Sequence, residues 1–134
     1  MGRALMIGGV FLLSRDPGAL ADWYRRYLGW EFGYLADDDT YYAELYFHEA
    51  DRAEQRQHLV YAIMPGDPGE PGRGHIVNYR VEELDSIVAS LQAAAVETSP
   101  VTVGPDAEGQ GKFARLQDPE GHRIELWEHL GHEP

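Results

Sequence analysis

The sequence predicts an α+β protein of two paired β-α-β-β-β modules, whose curved mixed sheets enclose a shared cavity with the helices outside. The same order of strand-like and helix-like segments occurs twice, and a Pro- and Gly-rich segment separates the two copies. A shift of half the 134-residue chain places Gly9 over Ile76 and Leu20 over Ile87. One such module would leave a sheet face uncovered, so we expect the two modules to pair.

The first module begins with a strand and a helix. Residues 7–14 form a short apolar run that is typical of a buried strand. Asp16 and Pro17 predict a helix start, because Asp is a favoured N-cap residue and Pro is tolerated at the first helical position. Gly29 stands where a helix commonly ends. Between these residues, apolar side chains recur at three- and four-residue steps and form one helix face: Leu20, Trp23, Tyr24, Tyr27 and Leu28.

Three further strands complete the first module. We predict them over residues 30–35, 40–47 and 57–64, with a turn of three aspartates after the first. The middle strand is rich in Tyr and Phe, which favour strands. Its alternation places Tyr42, Glu44 and Tyr46 on one face.

The second module follows a segment that contains three prolines and four glycines in ten residues. Such a segment continues neither a helix nor a strand. Beyond it we predict, in order, a strand over 75–81, a helix over 82–95, a short strand within 96–103, a loop over 104–111, a strand over 112–117, a turn over 118–121 and a strand over 122–129. The expected organisation is one domain over 1–134, with modules 1–64 and 75–134 and a linker over 65–74.

Composition restricts the possible partners and location. The net charge of −12 disfavours binding to nucleic acid and to anionic membranes. It would attract a cationic ligand, and the alternative is that the charge only keeps the protein soluble. The chain has no cysteine, so it has no disulfide scaffold and no thiolate metal site. No apolar stretch reaches the length of a membrane span. We therefore expect a soluble, cytoplasmic protein.

Several local motifs occur in a characteristic order in both halves, and together they resemble the vicinal-oxygen-chelate superfamily over essentially the whole chain. The resemblance implies the paired-module fold, a cavity and a tendency to form homodimers. It does not imply one chemistry, because the superfamily contains isomerases, dioxygenases, thiol transferases and antibiotic binders without catalysis. The residues that carry the resemblance are Gly8-Gly9-Val10-Phe11, Asp16-Pro17-x-x-Leu20-x-x-Trp23-Tyr24-x-x-x-Leu28-Gly29, Asn78-Tyr79-Arg80-Val81-x-x-Leu84-Asp85 and Phe113-Ala114-x-x-x-Asp118-Pro119-x-Gly121-His122-x-Ile124-Glu125-Leu126-Trp127-Glu128.

Metal-dependent members of this superfamily hold one divalent ion (Zn, Ni, Fe or Mn) with His, Gln and Glu ligands on the first and last strands of each module. Glu125 matches the last of these positions, and its alternation with Ile124 and Leu126 predicts a side chain in the cavity. The alternative is that Glu125 only pairs with Arg80 there. The first position falls on Gly9, which offers no ligand.

Two histidines are further metal-ligand candidates. His75 lies one residue from the matching position, Ile76, so only a strand-end bulge would turn it into the cavity. His58 lies at the start of the strand that carries the fourth position. His129, in the C-terminal tail, is expected to be solvated.

Two functions remain open at this point, beside a purely structural role in which an exposed apolar helix face or an open sheet edge would be a dimer contact. The first is a small-molecule-binding protein of the glyoxalase and bleomycin-resistance type, with no metal or a weakly bound one. The second is a divalent-metal-dependent lyase, isomerase or dioxygenase, with no catalytic residue assigned beyond the metal ligands. The residues expected to line the cavity in either case are Phe11, Tyr42, Tyr46, Tyr61, Asn78, Arg80, Glu125 and Trp127.

Overall fold

A computed structural model describes residues 2–3, 7–48, 56–106 and 109–131. The chain divides into two compact units, Met1–Asp67 and Pro68–Pro134. Each unit contains one helix and one mixed four-stranded sheet. The predicted α+β fold with two β-α-β-β-β modules is therefore confirmed.

The first unit contains strand β1 (Gly9–Ser14), helix α1 (Pro17–Leu28) and strands β2 (Gly33–Leu35), β3 (Thr40–His48) and β4 (Arg56–Pro65). A single 3-10 turn lies between β2 and β3. The sheet order is β1-β4-β3-β2, in which β1 and β4 are parallel and the other pairs are antiparallel. The parallel pair needs a long connection, and the chain between β1 and β4 supplies it.

Helix α1 begins and ends at the predicted residues. The Asp16 carboxylate accepts a hydrogen bond from the Ala19 backbone N–H at 3.2 Å. Gly29 adopts φ +73°, and its N–H donates to the Arg25 carbonyl at 3.0 Å. These bonds satisfy backbone groups that a helix end leaves without partners.

The second unit contains strand β5 (Ile76–Arg80), helix α2 (Leu84–Ala93) and strands β6 (Thr102–Asp106), β7 (Gly109–Gln117) and β8 (Arg123–Gly131). The sheet order is β5-β8-β7-β6, which repeats the order of the first sheet. Again the outer first strand is parallel to its neighbour and the other pairs are antiparallel.

The bounds of helix α2 and of strands β6 and β7 differ most from the sequence prediction. Helix α2 is shorter at both ends, because Glu83 and Ala95 have positive φ values of 54° and 63° and so lie outside the helical region. Residues 104–106 and 109–111, which were predicted as part of a loop, belong to the antiparallel strands β6 and β7. Pro105 is compatible with β6 because this strand lies at the sheet edge, where a missing N–H is tolerated.

In each unit the helix covers one face of its sheet. In the first unit the Tyr24 ring on α1 packs against the Tyr61 ring on β4, with 6.1 Å between the ring centroids. In the second unit the Glu128 carboxylate on β8 accepts a hydrogen bond from the Leu84 N–H at the start of α2, at 2.9 Å. We call the opposite face of each sheet its open face. Neither helix in the described ranges is long and apolar enough to cross a membrane.

Candidate functional site

The open face of the first sheet is aromatic. The strand register places Phe11 and Tyr42 on either side of Ala62, so all three side chains share this face. The Tyr42 ring lies across Gly33, where a Cβ atom would come within 2.6 Å of Tyr42 Cζ. Phe11 is 58% exposed, although it is a large nonpolar side chain.

Polar groups adjoin these rings further along the same face. Tyr46 is 51% exposed, and its hydroxyl donates a hydrogen bond to the Glu44 carboxylate. Its ring centroid lies 5.8 Å from that of His58, which is the directly paired residue on β4. The first sheet therefore brings together Phe11, Tyr42 and Tyr46, and adds His58.

Tyr61 lies on the other face of the first sheet. It pairs with Val10 and Ala43, and alternation turns all three toward helix α1. The side chain is 1% exposed and contacts the rings of Tyr24 and Trp30. Among the predicted cavity residues, Tyr61 is thus a core residue of the first unit.

The open face of the second sheet carries a polar row across three strands. The register places Glu125 on β8 between Asn78 on β5 and Arg115 on β7. Asn78 Nδ2 donates to Glu125 Oε1 at 2.8 Å, and Arg115 Nε donates to Glu125 Oε2 at 3.0 Å. The Glu125 side chain is 20% exposed. Both of its oxygens are therefore engaged by groups of the same sheet.

Arg80 has a different contact from the one that the sequence suggested. Its guanidinium carbon lies 5.0 Å from the centroid of the Trp127 ring, in the next row of the open face. A cation over an indole ring is attracted by the ring's negative face. The ion-pair partner of Glu125 is Arg115, which lies on a strand that sequence reasoning did not connect to it.

A partly buried Asp–His–Trp cluster lies beyond this row. Asp106 Oδ2 accepts a hydrogen bond from Trp127 Nε1 at 2.9 Å and lies 2.8 Å from His129 Nδ1. The Asp106 side chain is 4% exposed and that of His129 is 15% exposed, so the expectation of a solvated His129 is wrong. The alternation of Glu125, Trp127 and His129 along β8 was the available signal. Asp106 had no comparable signal, because its strand was predicted as a loop.

The described residues do not fit the metal centre of the superfamily. Gly9 cannot be replaced by a ligand without rearrangement, because a Cβ atom there would lie 2.8 Å from the Val60 carbonyl oxygen. His75 lies just before β5, outside the register with β8 that begins at Ile76. Within the described part of the chain, no group of three or more His, Asp or Glu side chains is arranged to hold a metal ion.

Comparisons with known proteins agree with this fold. Residues 6–126 match the family model of the Glyoxalase/Bleomycin resistance protein/Dioxygenase superfamily. A search of curated proteins finds no match.

Three solved structures illustrate the similarity in fold. A protein from the mobile metagenome of V. Pseudocholerae is 14% identical, with a TM-score of 0.66, over 98% of this chain and 99% of that one. The fosfomycin resistance protein FosX from Listeria monocytogenes, complexed with Mn(II) and sulfate, is 20% identical, with a TM-score of 0.60, over 98% and 92% of the two chains. The oxidase ChaP-H1 is 15% identical, with a TM-score of 0.61, over 94% and 97%.

Proposed function

The chain belongs to the Glyoxalase/Bleomycin resistance protein/Dioxygenase superfamily, and from this premise we propose that it binds a small organic molecule on the open face of its first sheet. The observation that carries the proposal is the aromatic open face of the first sheet. Phe11, Leu13 and Tyr46 are 58%, 42% and 51% exposed on the first unit, whose helix covers the opposite face. Large nonpolar side chains grouped on one exposed surface are typical of a binding site.

The open face of the second sheet, taken by itself, is a second candidate surface for binding a small molecule. Ligand sites combine apolar walls with a few polar groups that fix orientation. Trp127 and Arg80 supply a stacked cation and ring, and Asn78 and Glu125 supply an amide and a carboxylate. Arg115 holds the Glu125 carboxylate in place, so these groups are positioned before a ligand arrives.

Binding without metal chemistry is the better-supported of the two open functions. A divalent ion at Glu125 would have to displace the hydrogen bonds from both Asn78 and Arg115. A guanidinium beside a carboxylate also opposes a metal cation through like-charge repulsion. The bleomycin-resistance proteins that give the superfamily part of its name are the corresponding model for this chain.

The test is a titration of purified protein with bleomycin and with 2-naphthol, an uncharged aromatic compound, by isothermal titration calorimetry. Tyr46→Ala removes one ring from the aromatic face. Its matched control is Tyr34→Ala, since Tyr34 is also 51% exposed but lies on the other face of the first sheet. We expect Tyr46→Ala to weaken binding by about tenfold and Tyr34→Ala to leave it unchanged.

The proposal fails if neither compound binds below millimolar concentration, or if the two variants change binding equally. A parallel measurement addresses the metal-dependent alternative, which Glu125 supports by its place on the open face of the last strand. If the metal-dependent alternative holds, elemental analysis finds about one equivalent of divalent metal in the untagged protein. The Glu125→Ala variant then contains none. The homodimer and the cytoplasmic location stay predictions.

A further inference from the structure

The open face of the second sheet is rich in arginine, although the chain as a whole is strongly acidic. Arg80, Arg115 and Arg123 are three of the eleven basic residues, and the register puts all three on this face. Two carboxylates of the same sheet, those of Glu125 and Asp106, are each already bonded to side chains of that sheet. This face therefore has three guanidinium groups for these two carboxylates, whereas the chain as a whole has a net charge of −12.

Two of these arginines, Arg115 and Arg123, border one cleft. The cleft has a volume of about 650 Å³ and lies within the second unit. Ile76 contributes a nonpolar wall, and Gln117 and Ser99 contribute polar groups. Glu97 also lines the cleft, so its lining includes one acidic residue beside the two arginines.

The two guanidinium groups retain donors for a ligand. Arg115 is 60% exposed and uses Nε for its contact with Glu125. The two terminal nitrogens of a guanidinium carry four further N–H donors. Arg123 donates to the Gly72 carbonyl oxygen at 3.4 Å, which is a long hydrogen bond. Both side chains can therefore take an additional acceptor without breaking a strong contact.

The segment that closes the cleft is held to the sheet. Ser99 and Arg115 are joined by two hydrogen bonds: Ser99 N–H donates to the Arg115 carbonyl at 2.8 Å, and Arg115 N–H donates to Ser99 Oγ at 2.8 Å. Thr98 forms a β-bridge with Leu116. Because the arginine and the adjoining segment are fixed together, binding would require little reordering of the backbone.

We propose that this cleft binds the anionic group of a small organic ligand, a carboxylate or a phosphonate, between Arg115 and Arg123. The inference goes beyond the proposed function, because Arg115 is the single residue named for that function that also lines this cleft. Guanidinium groups bind such oxyanions with two parallel hydrogen bonds, which gives both affinity and orientation. The acidic residues elsewhere on the chain oppose it weakly, because charges more than about 8 Å away are largely screened at physiological salt.

The test compares three probes that share a phenyl group: phenylphosphonate, benzyl alcohol and benzyltrimethylammonium. The dissociation constants are measured by ¹⁵N NMR titration of the full chain, and the arginine Nε–Hε signals report the contact directly. The variants are Arg123→Gln and Arg123→Lys. Arg73→Gln is the control, since Arg73 belongs to the same unit, is 79% exposed and pairs with Glu70 outside the cleft.

We expect phenylphosphonate to bind tightest of the three probes and to shift the Arg115 and Arg123 signals. Arg123→Gln should weaken it by at least about tenfold, Arg123→Lys by less, and Arg73→Gln by no measurable factor. Tighter binding of benzyltrimethylammonium, or an Arg123→Gln constant equal to that of the wild type, overturns the inference. If phenylphosphonate does not bind, the anion site is refuted as well, while the bleomycin and 2-naphthol titrations decide the proposed function separately.

Discussion

Replacing Gly111 by alanine is expected to destabilise the second unit, because the position has no room for a methyl group. A Cβ atom there would lie 2.8 Å from Asp106 Oδ2 and 2.9 Å from Trp127 Nε1. Both distances are shorter than van der Waals contact. The two obstructing atoms are hydrogen-bonded to each other at 2.9 Å, and His129 holds the same carboxylate oxygen. The methyl group must therefore displace an acceptor that serves two donors.

The expected cost follows from these contacts. A hydrogen bond to a charged acceptor contributes about 1.5–3 kcal/mol, and overpacking a well-packed site costs about 1–3 kcal/mol. The two terms overlap, because the same displacement causes both. Removing a strand glycine recovers about 0.5–1 kcal/mol of backbone entropy. We therefore expect Gly111→Ala to lower the free energy of unfolding by about 2 kcal/mol.

Gly104→Ala is the matched control. Gly104 pairs directly with Gly111 across the β6–β7 hairpin, and no atom of the described residues lies within 4 Å of the point where its Cβ atom would stand. The same substitution there adds a methyl group to open space. It should leave the free energy of unfolding unchanged or raise it by about 0.5–1 kcal/mol.

Urea unfolding followed by tryptophan fluorescence and far-ultraviolet circular dichroism measures both variants. The Trp127 indole N–H resonance provides a local readout and should move in Gly111→Ala only. Truncating the obstructing carboxylate in Asp106→Ser should reduce the cost of Gly111→Ala, which a double-mutant cycle would reveal. Equal stabilities for Gly104→Ala and Gly111→Ala would refute the reasoning. The side chains of Asp106 and Trp127 would then make room for the methyl group with no loss of stability.

Three other substitutions or titrations test contacts around helix α2. Glu128→Ala should lower the free energy of unfolding by about 1 kcal/mol, because it removes the side-chain acceptor of the Leu84 N–H at the helix start. Glu83→Gly should raise it by about 0.5 kcal/mol in the same urea assay, because glycine adopts φ +54° without strain. The hydrogen bond from Lys112 to Asp85 raises the pKa of Lys112 above its usual 10.5. The stabilisation that this bond gives the folded protein is therefore complete below pH 10.5. It is lost as the pH rises through the higher pKa that Lys112 has in the folded state. Lys112 is the only lysine in the sequence, so an NMR titration of its side chain is unambiguous, and Asp85→Asn should return the pKa toward 10.5.

Much of the fold could be predicted because its determinants are local. Asp16 and Gly29 delimit helix α1 through their own capping geometry, and both act on neighbouring backbone groups. The repeat of strand and helix patterns was visible for the same reason. The alternation of Ile124, Glu125 and Leu126 likewise assigned Glu125 to the open face, and the burial of the two aliphatic residues agrees with it.

The errors occurred where the outcome depends on pairing between strands. Tyr61 was expected in the cavity, but its register with Val10 turns it into the core. His129 was expected in solvent, but β6 brings Asp106 beside it. A register shift of one residue reverses the face of every side chain, so a small error in strand alignment moves a residue from the core to the open face.

The sequence by itself determined the two modules, their helices and the placement of Glu125 on an open sheet face, because periodicity and capping act over a few residues. Only the tertiary structure decided which groups meet there. It paired Glu125 with Arg115, stacked Arg80 on Trp127 and buried Asp106 with His129. These contacts join residues from different strands, and their distances depend on how the whole sheet is assembled.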